Sequence, residues 1–372
     1  MTSRTVVLCS LEPWDDVWRR NQYLAHGLLT SDPRWRVLVV EPPADPLHAA
    51  LSGRAVRKGN GLRSVPGYDG RLHALQSTKW LPRLLGDTVD RALDRAVVQA
   101  VRHLGWSSPT VWINDPRRAG VVSALGAPAV YDITDDWVLA DRGPRESERL
   151  RRTDAWLLER ADRVVVCSPR LQATKGGTLL TNAVEVDRYR TAAPRPGDLP
   201  PSPIALYCGT LHEDRLDVDL CITSAAAMAA IGGSLVLVGP DALDPAASGR
   251  LRAATGVVVL GARHRDEVPG YLQHADVLVV PHRVDAFTET LDPIKLYEYR
   301  AVGRPVVSTP VAGFRDAPGV EIAPVDRLAS VAVEAATSSR ATTHHADVPD
   351  WRDRAREFGE ILAEVADGRG PR

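Results

Sequence analysis

Apolar, β-branched runs alternate with amphipathic stretches along this chain, most regularly in its second half. There the runs recur at 204–210, 234–238, 257–260, 276–280 and 305–308, and helix-like stretches lie around 217–230, 242–254, 266–274 and 295–302. Strands alternating with helices predict βαβ units, hence a parallel sheet covered on both faces. The first half repeats the pattern less regularly, with strands expected at 5–9, 36–40, 110–113, 129–131 and 163–167 and helices near 16–29, 87–103 and 148–161. Between the halves, residues 191–203 contain five prolines, which disfavour helix and central strand alike and mark a linker. Residues 350–368 read as an amphipathic helix with Trp351 and Phe358 among its apolar anchors. The expected organisation is an α/β domain at 1–190, the linker at 191–203, a second α/β domain at 204–347, and a closing helix and tail at 348–372.

Composition narrows the class. A chain of 372 residues fits two domains of about 150–200 residues each, and 44% hydrophobic with 25% charged residues is the balance of a globular protein. No run approaches the roughly 18 apolar residues of a membrane span. The apolar segment at 5–10 is short and runs into Leu11-Glu12-Pro13, so it reads as a first strand and not a signal peptide. Cys9, Cys167, Cys208 and Cys221 lack C-x-x-C spacing; buried thiols in a reducing cytoplasm are expected, with no metal site. Arginine outnumbers lysine 42 to 4, so an arginine cluster alone does not mark a site. Residues 1–190 hold 28 Lys and Arg against 22 Asp and Glu, and the remainder holds 18 against 25. Within 51–83 stand Arg54, Arg57, Lys58, Arg63, Arg71, Lys79 and Arg83 against Asp69 alone. Such a segment suits an anionic acceptor or peripheral contact with membrane headgroups; a solvated loop is the equal alternative. A nearly neutral chain without a binding module argues against nucleic acid.

The densest chemical signal is the run from Asp292 to Thr309, which combines a Pro293-Ile294-Lys295 turn, a short helix carrying Glu298, a stop at Gly303 and a β-branched strand. Lys295 and Glu298, three apart, share a helix face. Lys295 also stands at the helix start, where unpaired N–H groups favour an anion. A phosphate placed there leaves Glu298 to accept from sugar hydroxyls; a surface Lys–Glu pair is the plain alternative. The run resembles the donor-binding motif of GT-B glycosyltransferases, in particular the family 4 (group 1) type with its P-x-K-x-x-E-x-x-A-x-G-x-P-V-V pattern. That resemblance implies a GT-B fold, with two Rossmann-like domains facing a central cleft and a C-terminal helix crossing back to the N-terminal domain. It also implies an acceptor-binding first domain, a second domain that binds a nucleotide-diphospho-sugar, and transfer to a hydroxyl acceptor with no cofactor.

Ligands of open parallel sheets bind beyond the carboxyl ends of strands, which selects the remaining candidates. After the run at 204–208 come Gly209, Thr210 and Arg215, suited to a diphosphate by close backbone approach and a guanidinium fork. Gly239 ends another strand. By the resemblance, Ala262 and Arg263 hold the nucleobase through backbone bonds, and the segment 181–189 shapes the domain junction. In the first half, Asp132, Asp135 and Asp136 follow a strand between Tyr131 and Trp137. Asp135 or Asp136 is the candidate general base; orienting the acceptor or pairing with an arginine is the other role. Trp14, Asp15, Arg19 and Asn114 are candidate acceptor contacts, although core packing also accounts for tryptophans. The Asp217–Asp219 spacing imitates a metal-binding pair but falls in a helix first turn, where acids complement the dipole. One departure from the family stands out. The acid expected eight residues before Glu298 is replaced by Thr290, with Glu289 beside it. That leaves nucleotide binding intact and the stereochemistry of transfer open. A nucleotide-sugar epimerase and a catalytically silent binding protein are the rival functions.

Overall fold

The computed structural model describes residues 3–51, 55–80, 87–138, 143–286, 288–338 and 342–368. The chain divides into two units, residues 1–180 with 352–372, and residues 181–351.

In the first unit the strands are β1 (Arg4–Cys9), β2 (Trp35–Val40), β3 (Gly61–Ser64), β4 (Leu72–Gln76), β5 (Thr110–Ile113), β6 (Ala129–Ile133), β7 (Arg163–Val166) and β8 (Thr178–Leu179). Its helices are α1 (Arg20–Ser31), α2 (Pro46–Leu51), α3 (Asp87–His103), α4 (Gly120–Leu125), α5 (Pro144–Arg160) and α6 (Pro169–Lys175). Among the described residues the strands form one sheet in the order β3-β4-β2-β1-β5-β6-β7-β8, parallel except for β3. The order reverses between β1 and β5, both of which are paired to their neighbours in register.

The second unit holds α7 (Val186–Arg190), β9 (Ile204–Cys208), α8 (Val218–Ala230), β10 (Ser234–Val238), α9 (Pro245–Ala253), β11 (Val257–Gly261), α10 (Val268–Gln273), β12 (Val277–Val280), α11 (Ile294–Val302), β13 (Val306–Ser308), β14 (Val320–Ile322) and α12 (Leu328–Thr337). Among the described residues its sheet runs β11-β10-β9-β12-β13-β14, and every pairing is parallel. Here the order reverses between β9 and β12. Both strands are buried at every position, which is why they read as unbroken apolar runs without alternation. Helix ends follow local chemistry. Asp217 caps α8 by accepting from Leu220 N at 3.0 Å, and Gly303 ends α11 in the left-handed region at φ 75°.

The last helix, α13 (Trp351–Ala366), returns the chain to the first unit. Phe358 is fully buried, with its ring 4.5 Å from that of Trp112 on β5.

The structure departs from the sequence expectations in several places. Strand β6 extends to Ile133, so Asp132 lies inside the strand and is fully buried. The first helix starts at Arg20, not near 16, because the Gln22 carboxamide accepts from Arg19 N at 2.9 Å and closes the turn there. The unit boundary falls at Leu180, before the expected 190. Asn182 N donates to the Asp292 carboxylate at 2.5 Å and Val184 N to Pro349 O at 3.1 Å, which binds this stretch into the second unit. The proline-rich 191–203 also belongs to that unit: Ala193 N donates to Gln273, and Tyr271 OH to Asp198.

The basic segment 51–83 is not one solvated loop. It supplies β3 and β4, Arg63 pairs with Glu41, Arg71 donates to Leu29 O, and Lys79 pairs with Asp45. Arg54 and Arg83 lie outside the described residues.

Candidate active site

The crevice at which a parallel sheet reverses its order is the expected ligand position, and in the second unit it lies beyond β9 and β12. Gly209 follows β9 at φ 148°, a conformation that L side chains avoid. A Cβ on Gly209 would stand 2.6 Å from Lys295 Nζ. Gly239, after β10, has φ 146°, and a Cβ there would collide with the Gly209 carbonyl. Two glycines therefore let two loops and one ammonium converge.

Lys295 is in the first turn of α11. Its ammonium donates to the Tyr207 hydroxyl at 2.6 Å, lies 3.4 Å from His282 Nε2 and sits 3.9 Å from the Tyr207 ring centroid. Among the described residues no carboxylate forms an ion pair with it. Burial, then the Arg215 charge, push the ammonium down to about 7. Burial, with Lys295 and Arg215 adding to it, holds His282 well below its ordinary range. Arg215 keeps a buried Nε without a hydrogen-bond partner. A low-dielectric pocket with two cations and no paired anion favours an anionic ligand.

One turn along α11, the Glu298 carboxylate accepts from Tyr189 OH at 2.6 Å. Burial raises the carboxyl, while the tyrosine bond and Lys295 oppose the rise. Tyr189 comes from α7, so the predicted junction segment also fixes a site side chain. The helix is anchored to β9 by Cys208 N, which donates to Tyr299 OH at 2.9 Å.

Pro293 and Ile294 open the helix as expected, and Asp292 accepts from Tyr297 OH at 2.6 Å. Thr290 is buried and Glu289 is paired with Arg315. Thr210 places its carbonyl 3.5 Å from Tyr207 OH. The Arg263 side chain is engaged elsewhere, donating to Tyr271 OH at 2.8 Å, Leu260 O at 2.6 Å and Asp198. Its Nη1 also donates to the Ala262 carbonyl at 3.0 Å.

In the first unit the crevice lies beyond β1 and β5. Asn114, after β5, is buried; it donates to Asp132 O and Thr134 Oγ1 at 3.2 Å and accepts from Asn21 at 2.7 Å. Its side chain braces the loops instead of facing solvent. Asp136 is buried 3.3 Å from Lys175 Nζ, whereas Asp135 is half-buried. Asp15 and Arg19 pair at 3.4 Å on the exposed side. Trp14 joins rings that its sequence position did not reveal: Trp18 and Tyr68 each at 6.1 Å, with His26 bonded to Tyr68 at 2.9 Å.

Tyr207, His282 and Tyr189 escaped sequence reasoning. His282 follows β12, so the strand-end rule held the signal for it. Tyr189 and Tyr68 arrive from remote elements and carried none.

Residues 202–337 match the family model described as Glycosyl transferases group 1. The chain is 24% identical over 197 residues to a protein named as the teichuronic acid biosynthesis glycosyltransferase TuaH of Bacillus subtilis; the match covers 48% of this chain and 50% of that protein. Among solved structures, sucrose-phosphate synthase of Thermosynechococcus elongatus superposes with TM-score 0.64 at 20% identity over 98% of this chain and 97% of its own. The UDP-forming α,α-trehalose-phosphate synthase of Burkholderia vietnamiensis gives 0.66 at 13% identity over 100% and 99%. At these identities the structural likeness establishes the GT-B fold.

Proposed function

We propose, from the match of residues 202–337 to the model described as Glycosyl transferases group 1, that the protein transfers a glycosyl group from a nucleotide-diphospho-sugar to a hydroxyl acceptor, without a metal. The observation that carries this is the convergence of Lys295, Arg215 and Gly209 at the reversal of the second sheet, with Glu298 one turn along. Positive charge fixed beside the leaving diphosphate stabilises charge that grows in the transition state. Glu298, held by Tyr189, accepts from the ribose hydroxyls. Ala262 and Arg263 offer backbone groups to the base. On the first unit Trp14, Asp15 and Arg19 meet the acceptor, and Asp135, less enclosed than Asp136, faces its hydroxyl. The family match favours transfer over epimerisation or silent binding.

A thermal-shift panel of UDP, GDP, dTDP, ADP and CMP tests the donor site, since a ligand that binds the folded state raises its melting temperature. One diphosphate is expected to stabilise the wild type, Glu298→Ala to abolish the shift, and Tyr189→Phe to reduce it. A wild type indifferent to every nucleotide would sink the proposal.

The proposal places the protein in the cytoplasm with a peripheral membrane contact. Among the described residues no helix is long and apolar enough to cross a bilayer. Leu51 (89% exposed), Trp80 (57%), Leu47 and Val56 stand outward, and Lys58 Nζ lies 5.4 Å from the Trp80 ring centroid. Exposed apolar side chains beside cations suit an anionic headgroup plane. Co-sedimentation with phosphatidylcholine vesicles containing phosphatidylglycerol is expected to fall in Leu51→Ala/Trp80→Ala. Equal pelleting of this variant and the wild type would remove the contact.

A further inference from the structure

Lys295 stands against two neutral acceptors where a carboxylate would be the ordinary partner of a buried ammonium. Tyr207, on β9, is fully buried, and His282, just after β12, is 2% exposed. Lys295 Nζ donates to Tyr207 Oη at 2.6 Å, and Oη lies 3.2 Å from His282 Nε2, which is itself 3.4 Å from Nζ. An ammonium offers three donors and no acceptor, and a tyrosine that accepts from it still has one O–H to give. His282 Nε2 must then accept, which sets the ring as the neutral Nδ1–H tautomer. Thr210 O, at 3.5 Å from Oη, is a longer alternative for the same O–H. Burial and the charges of Lys295 and Arg215 keep the imidazole neutral. Lysine, tyrosine and histidine therefore form a chain in which each donates to the next. All three belong to the second unit and come from three elements around the reversal of its sheet. Because the chain ends on a neutral ring, it fixes the ammonium without cancelling its charge, and each bond polarises the one before it.

We infer that Tyr207 and His282 are positioning residues of the donor site: through this chain they hold Lys295 charged and in place before a diphosphate arrives. The inference rests on the donor site of the transferase proposal and adds to it two residues that act through Lys295. A carboxylate in their place would hold the ammonium more tightly and take away the charge that the diphosphate needs. Burial and then Arg215 bring the ammonium down to about 7. A hydrogen bond to the charged form opposes that fall, so loss of the Tyr207 hydroxyl lowers the lysine further. The remaining groups that face the ammonium are Arg215 before α8, Cys208 on β9 and Glu298 one turn along α11. Burial holds the Cys208 thiol up at about 12, so it stays neutral around pH 7. Arg215 and Glu298 are left unchanged by substitutions at Tyr207 or His282, and their effects cancel in the ratio of variant to wild type.

The test measures the Kd of UDP, GDP, dTDP and ADP by calorimetry at pH 5.5 and pH 8, for wild type, Tyr207→Phe, His282→Leu and His282→Gln. Tyr207→Phe keeps the ring that lies 3.9 Å from Lys295 Nζ and removes only the hydroxyl. At pH 5.5 the lysine is charged in every variant, and Tyr207→Phe is expected to bind the preferred diphosphate within about twofold of wild type. At pH 8 it is expected to bind roughly tenfold more weakly, the equivalent of one unit in the proton affinity of the lysine. His282→Leu should lose affinity in the same pH-dependent way but less, because it acts through the tyrosine. His282→Gln, whose amide oxygen can accept the tyrosine O–H, should recover most of that loss. Thermal melts without nucleotide confirm that each variant is folded, and the two His282 variants carry the test alone if Tyr207→Phe is not. A loss by the same factor at both pH values marks a merely structural role and overturns the inference, as does wild-type affinity at pH 8 in both Tyr207→Phe and His282→Leu. Either result leaves the donor site standing. Failure of the wild type to bind any of the four diphosphates overturns the transferase proposal, and the inference with it.

Discussion

Asp132→Ala is expected to destabilise the first unit by about 3–5 kcal/mol, the cost of stranding a buried charge. Asp132 is fully buried in β6 and Arg20 on α1 is 3% exposed. The guanidinium meets both carboxylate oxygens, with Nε at 3.2 and 3.1 Å and Nη2 at 3.0 Å, and its Nη1 donates to Leu180 O at 2.8 Å. Trp112 Nε1 donates to the same carboxylate at 3.2 Å, and the Trp112 ring packs at a tilt against Phe358 of α13. One carboxylate therefore ties α1, β5 and β6 together, next to the returning helix. Removing it leaves the guanidinium without its anion and the indole N–H without an acceptor. Chemical denaturation measures the loss. The double variant Arg20→Met/Asp132→Leu is expected to recover most of it, because a buried ion pair replaced as a whole by apolar groups is often neutral. An Asp132→Ala protein within about 1 kcal/mol of wild type would show that the pair is not a keystone of this unit.

Lys295→Ala is expected to weaken binding of the nucleoside diphosphate by roughly 10- to 150-fold, the value of a charge-assisted bond of about 1.5–3 kcal/mol. Folding should survive, because the ammonium is held down to about 7 by burial and Arg215 and so strains the unliganded pocket. The sign of the pH dependence follows. Bound diphosphate raises the lysine toward its ordinary value, so affinity is full below pH 7, where the free protein already carries the charge. It then declines by up to about tenfold per pH unit above 7. Calorimetry at pH 8 in two buffers of different ionisation enthalpy should register proton uptake on binding by the wild type and none by Lys295→Ala. Flat affinity from pH 7 to 9 in the wild type would remove Lys295 from contact with the phosphates.

The chain's alternation of apolar runs and amphipathic stretches determined the α/β class, two sheets and most element positions. Fully buried parallel strands such as β9 and β12 must be continuous apolar runs, and amphipathic helices must cover them. The same local logic located Gly209, Lys295 and Glu298, since a backbone close approach and a helix face are encoded within a few residues. Less legible were β3 and β4, because Arg63 in β3 and the flanking Arg71 and Lys79 suit a solvated loop equally well, and only the fold pairs Arg63 with Glu41 and Lys79 with Asp45.

What only tertiary structure decided is which polar groups meet. Asp132, Asp135 and Asp136 look alike in sequence, yet one is spent on Arg20, one is half-buried at the strand end and one lies against Lys175. Arg263 and Arg215 look equally available, but the first is turned to Asp198 and Tyr271 while the second keeps a buried nitrogen unpaired. Tyr189 reaches Glu298, remote in sequence, only because α7 packs against α11. Hydrophobic burial depends on periodicity along the chain and can be read from it. The charge and proton affinity of a side chain depend on desolvation and on neighbours distant in sequence, and these exist only once the sheets are assembled.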